Sequence, residues 1–399
     1  MEFSYRCSQC GRTFAIEPEL YLCPDCSATR RKDQPLSGVL EVELHGTAAA
    51  TFAIVDLLPV EAEYFPPAPV GDTPLWAPRK LREQTGFRHL FLKDDGANPT
   101  SSFKDRASFL VSAFAKKFAI RDIALASTGN AGSSMAGIGA AAGQAITLFL
   151  PEAAPAAKLV QALQYGARVY RVKGSYDMAY ELSLEYSRRK GGMNRNTAYN
   201  PMTIEGKKTV SLELFRQLGQ APEIVFVAVG DGCILSGVYK GFSDLLQLGL
   251  ITAMPKIIGV QAETSSALSR AFETGVFDAA PASTVADSIC VDVPRNGWQA
   301  LAQLKKYAGT LMTVSDEEII RAQAQLSAGS GLFTEPAGAA AFAGFLKAAP
   351  GLDPQAAIVI LATGNGLKDS EAAKRGIRVP ATLISSIDDI LQPEGLIRD

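Results

Sequence analysis

From residue 123 onward the chain repeats one pattern: a short apolar run, a turn rich in glycine or serine, then a helical stretch. Ile123–Ala126 reads as a strand and Ala131–Ala142 as a helix. Ala145–Leu150 follows as a strand, Ala156–Tyr165 as a helix and Ala167–Val172 as a strand. Further on, Ile224–Val229, Lys256–Gln261, Thr310–Val314 and Ala357–Ala362 read as buried strands with helical patterns between them. Ser315 and Glu318 have the spacing of a capping box that opens one of those helices. Strands alternating with helices in this way build parallel sheets covered on both faces. The expected fold class is therefore α/β with open parallel sheets. A chain of 399 residues exceeds one ordinary core, so two packed units and a small appendage are expected.

The pattern also bears on the one stretch that resembles a membrane span. Residues 123–151 carry no charge, but five glycines and three serines interrupt them, as do Asn130 and Gln144, and Pro151 ends them. Strand, glycine-rich helix and strand explain the stretch better than a bilayer helix. The first residues lack a basic segment followed by an apolar run, so a cytoplasmic location is expected. A formal net charge of −2 argues against nucleic acid or an anionic membrane as the main partner. The two histidines, His45 and His89, stand apart from acids, cysteines and serines, which disfavours serine-hydrolase and histidine–metal chemistry.

The N-terminal segment has its own chemistry. Cys7 and Cys10 form one CxxC pair and Cys23 and Cys26 another, with 12 residues between the pairs. Four thiolates so spaced suit a tetrahedral, structural zinc ion with no open position for catalysis. The alternatives are a ribbon that has lost its metal, or a redox pair. The second would want an adjoining helix in a βαβ unit, whereas a polar basic run, Arg30, Arg31 and Lys32, follows here. Residues 59–71, with four prolines, read as an extended linker.

Four turns carry candidate chemistry, because ligands in open α/β sheets bind beyond the C-terminal ends of strands. The first is the run NPTSSFKDR from Asn98 to Arg106. Here Lys104 is set among small hydroxyl residues, including Ser102, and an aromatic. A partly buried lysine has a lowered pKa and can act as a nucleophile, although most lysines are ordinary surface residues. The second turn, Ser127, Thr128, Gly129 and Asn130, offers N–H groups and hydroxyls to an anion such as a carboxylate, or is a simple capped turn. The third is GDGCILSG, from Gly230 through Asp231, Gly232, Cys233 and Ile234 to Gly237. Its glycines allow close approach of a phosphate at a helix start. It lacks the ending of an ATP-binding loop and does not fit a dinucleotide fingerprint. Asp231 is expected to point away from a bound phosphate, and Cys233 to be a small filler. The fourth is TGNGLKD, beginning at Thr363. A neutral hydroxyl there suits a pyridine nitrogen that stays unprotonated.

Taken in this order, the four motifs resemble the fold-type II pyridoxal-phosphate (PLP) enzymes of the tryptophan synthase β superfamily, and most closely the threonine synthase family. The stretch beginning Glu335-Pro-Ala-Gly and the cysteine head add to the resemblance, which runs from Cys7 to about Asp369. It implies two open parallel-sheet domains with a zinc-ribbon-like head: residues 1–35 as the head, 36–95 and 200–399 as the large PLP-binding domain, and 96–199 as the small domain. It implies that Lys104 binds the cofactor as a Schiff base and shuttles protons. It also implies that Asn130 bonds the ring hydroxyl, and that Gly230, Asp231, Gly232, Cys233 and Ile234 wrap the cofactor phosphate. Thr363 would meet the pyridine nitrogen, and Ser102, Ser127, Thr128 and Gly129 would serve the amino-acid substrate. A homodimer is implied as well.

Two positions depart from the family pattern. Ala131 stands where threonine is usual. Thr203, in Asn200-Pro-Met-Thr203-Ile-Glu-Gly206, stands where the family carries an arginine associated with the substrate phosphate. Lys207 and Lys208 are candidates to replace that charge, and Lys208 is preferred because the family also tends to carry lysine there. The expected reaction is conversion of O-phosphohomoserine and water to L-threonine and phosphate. Other β-eliminations or β-replacements on the same scaffold remain as alternatives, as does a non-catalytic scaffold that uses its ribbon for interactions.

Overall fold

The computed structural model describes residues 1–28, 31, 33–49, 51–154, 159–377 and 384–387. Arg30 and Lys32 of the basic run lie outside them, as do the first residues of the helix expected over 156–165. The described part of that helix is Val160–Gln164. In chain order the strands are β1 (Glu2–Cys7), β2 (Thr13–Phe14), β3 (Leu40–His45), β4 (Leu75–Trp76), β5 (Leu90–Asp94), β6 (Asp122–Ala126) and β7 (Ala145–Pro151). They continue as β8 (Arg168–Val172), β9 (Met193–Asn194), β10 (Ile224–Ala228), β11 (Lys256–Ala262), β12 (Thr310–Val314) and β13 (Ile358–Ala362).

Two parallel sheets carry the fold. The larger has the order β12-β11-β10-β13-β5-β4, parallel throughout except for β4. Its central strands β10 and β13 are apolar and buried at every position, as expected where helices cover both faces. On one face packs the alanine-rich helix Pro336–Ala348, whose Ala339–Phe342 segment is wholly buried. The smaller sheet, β8-β7-β6-β9, is entirely parallel. The capping box is present: the Glu318 N–H donates to Ser315 Oγ, and Glu318 Oε2 accepts the Ser315 N–H at 2.7 Å. Among the described residues no helix is long and apolar enough to cross a membrane.

Two features differ from the expectation. The head forms a three-stranded antiparallel sheet, β2-β1-β3, and β3 lies beyond residue 35. The proline-rich segment is a packed strap. Val60 and Pro66 are buried, Ala62–Tyr64 forms a 3₁₀ turn, and the Phe65 ring lies 4.9 Å from that of Phe109. Lys117 reaches Glu61 at 2.9 Å, so the strap is fastened along the helix Lys104–Lys117. Proline fixes φ and lowers the cost of ordering such a segment, which suits it to packing as well as to spacing.

Candidate active site

Three of the four turns converge on one cavity of about 420 Å³, and the fourth lies directly behind it. Lys104, residues 125–131, residues 228–232 and Ile234 line the cavity, together with Tyr176, Arg195 and residues 287–293. The convergence follows from topology: the turns follow β5, β6, β10 and β13, and all the strands that supply them run parallel within their sheets.

Lys104 is half-buried and opens the helix Lys104–Lys117. Its two followers fix that helix start. The Asp105 carboxylate accepts the Thr100 N–H at 2.7 Å. The buried Arg106 guanidinium donates to Asp95 at 2.6 Å and to Glu213 at 2.5 Å and 2.7 Å. Lys93, on β5, pairs with Glu213 at 2.7 Å. This buried network ties β5, the Lys104 helix and the helix Thr209–Leu218 together, so the position of Lys104 rests on several satisfied charges.

Thr363 does not line the cavity. It is 6% exposed, and its carbonyl accepts the Phe103 N–H at 2.8 Å, immediately before Lys104. Ser102 is also set behind the wall. Its backbone bridges to Gly364, and its hydroxyl is buried with no hydrogen-bond partner among the described residues. An orphaned hydroxyl beside Lys104 is a polar group that a bound molecule could satisfy.

The asparagine loop starts the helix Asn130–Ala142. Ser127 Oγ accepts the Gly132 N–H at 2.9 Å, which closes the turn. Asn130 Nδ2 donates to Glu335 at 2.9 Å and to Ser288 Oγ at 3.1 Å. Because a carboxylate can only accept, this fixes which end of the Asn130 amide is nitrogen. Burial pushes the Glu335 carboxyl above its ordinary range, against the hydrogen bond from Asn130 and the nearby charges of Lys104 and Lys368. Sequence reasoning noted Glu335 as part of a signature but did not identify it as the partner of Asn130. Lys368, in the fourth turn, donates to the Thr100 carbonyl at 3.0 Å and to Gln161 at 2.7 Å.

The glycine turn after β10 is drawn tight. A side chain at Gly230 would meet the Ile289 backbone at 2.9 Å, and Gly232 has φ +86°. The turn leads into the 15-residue helix Cys233–Gln247, so its amide groups and the helix start favour an anion. The Asp231 carboxylate folds back to accept the Cys233 N–H at 3.0 Å. Cys233 is fully buried, and desolvation pushes its thiol well above the ordinary value, as suits a filler. A phosphate-bearing cofactor with a carbonyl for Lys104 fits this donor set.

Lys208 requires a correction. Its ammonium is fully buried and is held by Asp244 at 2.8 Å and by Glu205, beside Lys240. It does not line the cavity. Successive positions on a helix point about 100° apart, and this rotation gives Lys208 to the carboxylates while Lys207 faces elsewhere. Lys207 is also fully buried, and its Nζ donates to the Thr203 carbonyl at 3.1 Å. Desolvation pushes its pKa down to about 8, and the charges of Arg195 and Lys104 act in the same direction. Thr203 Oγ1 is committed to the Asn200 carbonyl at 2.7 Å. Sequence reasoning missed Arg195, which lines the cavity fully buried. No motif marks it, and an arginine between two asparagines reads as a surface residue.

In the head, the Cys7–Cys26 and Cys10–Cys23 sulfurs lie 3.8 Å apart, and all four lie within 4.8 Å of one another. A tetrahedral zinc–thiolate site with 2.3 Å bonds has a sulfur–sulfur edge of about 3.8 Å, so the donor set fits such an ion.

The model of the pyridoxal-phosphate dependent enzyme family matches residues 67–364. The threonine synthase of Methanocaldococcus jannaschii is 34% identical over 94% of this chain and 95% of its own length. That of Methanosarcina acetivorans is 32% identical over 97% of this chain and 98% of its own length. Among solved structures, a threonine deaminase isoform of Solanum lycopersicum is similar with a TM-score of 0.66 at 22% identity, covering 80% of this chain and 85% of that one. Diaminopropionate ammonia lyase of Escherichia coli has a TM-score of 0.66 at 16% identity, covering 81% of this chain and 96% of that one. At those identities the likeness is one of fold.

Proposed function

This chain belongs to the pyridoxal-phosphate dependent enzyme family, and on that premise we propose that it is a threonine-synthase-like lyase, converting O-phosphohomoserine and water into L-threonine and phosphate. The observation that carries the reading is likeness to threonine synthases over nearly the whole chain. The meeting of Lys104 with the asparagine and glycine turns around one cavity supports it.

When bound, pyridoxal phosphate supplies an electron sink that makes the α-proton of an amino acid acidic. In this reading Lys104 Nζ holds the cofactor and takes that proton. Asn130, with its amide nitrogen committed to Glu335, offers its amide oxygen to the ring hydroxyl. The N–H groups of Gly230, Asp231, Gly232 and Ile234 would take the cofactor phosphate, that of Cys233 being held by the Asp231 carboxylate. Thr363, set behind the cavity wall beside Lys104, would be the neutral group for the pyridine nitrogen. Ser127, Thr128 and Gly129 would receive the substrate carboxylate, and the unpartnered hydroxyl of Ser102 stands behind the wall beside Lys104. The four cysteines of the head hold a structural zinc ion. The enzyme works as a cytoplasmic homodimer, to be tested by light scattering.

A second reading, β-elimination or β-replacement on another amino acid, is favoured by one observation: the hydroxyl of Thr203, where the family's arginine would stand, is committed to Asn200. A panel of amino-acid substrates separates the two. Phosphate release from O-phosphohomoserine with threonine as product supports the first reading. Ammonia and keto-acid release from serine-like substrates, with O-phosphohomoserine untouched, transfers the assignment to the second. Borohydride reduction and peptide mapping should place the pyridoxyl group on Lys104, and any other lysine would overturn the site.

A further inference from the structure

Buried cations in this protein are, as a rule, matched by carboxylates. Arg106 has Asp95 and Glu213, Lys93 has Glu213, and Lys208 and Lys240 share Asp244. Arg195 and Lys207 break the rule. Both are fully buried, and among the described residues neither forms an ion pair. The Arg195 guanidinium donates to Thr197 Oγ1 at 3.0 Å and lies 3.4 Å from Ser108 Oγ, while Lys207 has the Thr203 carbonyl. Asp231 and Asp105 act on Arg195 through space, but each carboxylate is already engaged, by the Cys233 N–H and by Thr100. Lys104 adds a third positive charge close by.

Uncompensated ions in an interior are costly, and such sites are where ligands of opposite charge belong. Two cations, one with a fork of parallel donors, match a dianion with several acceptor oxygens. The place matches as well. Arg195 lines the cavity; Lys207 does not, and it lies behind the wall, packed against Gly237 in the first turns of the helix Cys233–Gln247. Lys207 also restores positive charge to the helical turn that holds Thr203.

We propose that Arg195, from the cavity wall, and Lys207, from just behind it, together hold a phosphate monoester dianion at this cavity. The proposal deepens the reading above and rests on its premise that the cavity takes phosphorylated ligands. Two phosphates could meet the pair, that of the cofactor and that of the substrate, and the experiment distinguishes them.

The test uses the full-length protein and its Arg195→Gln, Lys207→Gln and Arg195→Lys variants, with circular dichroism as the check of fold. Inorganic phosphate, pyridoxal phosphate and pyridoxal are the probes, read by calorimetry and absorbance. Loss of either cation should weaken phosphate binding by about 10- to 100-fold, with partial recovery in Arg195→Lys. If the pair serves the cofactor, affinity for pyridoxal phosphate falls while that for pyridoxal holds. If it serves the substrate, cofactor affinity holds. Phosphate binding to the loaded enzyme then weakens, and kcat/KM falls for O-phosphohomoserine but not for an unphosphorylated analogue.

Folded variants that bind both inorganic phosphate and the cofactor as the wild type does would overturn the proposal. Should the glutamine variants not fold, the wild type alone is decisive. Phosphate must raise the Tm of the cofactor-free protein beyond chloride at equal ionic strength, and no such rise overturns the proposal. Phosphate binding without turnover of O-phosphohomoserine would count against the threonine synthase reading and leave this site standing.

Discussion

The amide nitrogen of Asn130 lies 2.9 Å from the carboxylate of Glu335, a residue 205 positions away that opens a helix of the larger sheet's covering layer. The contact joins the two sheets at the cavity and sets the orientation of the asparagine amide. Glu335→Ala frees that amide to turn. Cofactor affinity should fall about 10-fold, the scale of a lost charge-assisted hydrogen bond. An absorbance titration with pyridoxal phosphate reads the change, and unchanged affinity would remove Glu335 from the site.

The four cysteines of the head should bind about one zinc ion per chain, as a closed thiolate set does. Chelation should loosen the head, read as new protease cuts before residue 45, and leave the cofactor absorbance in place. Metal-free protein purified under reducing conditions would remove zinc from the account.

Lys208→Met should act on stability and spare phosphate recognition. Removing this ammonium leaves Glu205 and Asp244 short of a buried partner, at a cost of about 3–5 kcal/mol. Chemical denaturation measures the loss. The ratio of kcat/KM for phosphorylated and unphosphorylated substrates should not move. A selective defect with the phosphorylated substrate would restore Lys208 to the cavity.

Lys207 gives a pH signature. Its pKa in the folded protein is pushed down to about 8 from the ordinary 10.5. Between those values the unfolded chain binds the extra proton, so the stability of the anion-free protein should rise with pH across that window. Phosphate affinity should fall over the same range as the ammonium is lost. The difference in Tm between wild type and Lys207→Met, followed from pH 7 to pH 10 (about the span of that window), isolates the effect. A flat difference would contradict the assignment.

The strands that are legible in the sequence are those that alternate with helices. Thr310–Val314 agrees to the residue, and each of the other expected strands differs at one end by one position. β9 has two residues, too few for any periodicity, and β5 ends in Lys93 and Asp94, whose burial depends on distant Glu213 and Trp76. The same limit applies at the site. Turns rich in glycine declare themselves locally, and so the loops around the cavity can be read. Whether a cation is answered by a carboxylate depends on helix rotation and on residues from other elements. For that reason sequence reasoning favours Lys208 over Lys207 and passes over Arg195.

The order of the larger sheet bears on how this protein can be made. β13 is near the C-terminal end of the described chain, yet it lies between β10 and β5, and among the described strands it alone joins the early ones to the late ones. All four strands of the smaller sheet lie between residues 122 and 194, so that sheet has its full set of strands once residue 194 is made. The larger sheet must wait as two unjoined halves until residues 358–362 appear. A nascent chain stopped before that point would expose the edges of β5 and β10 to solvent and to other chains. Premature termination should therefore yield an aggregating fragment, whereas the segment bearing β6 to β9 is the one suited to folding during synthesis.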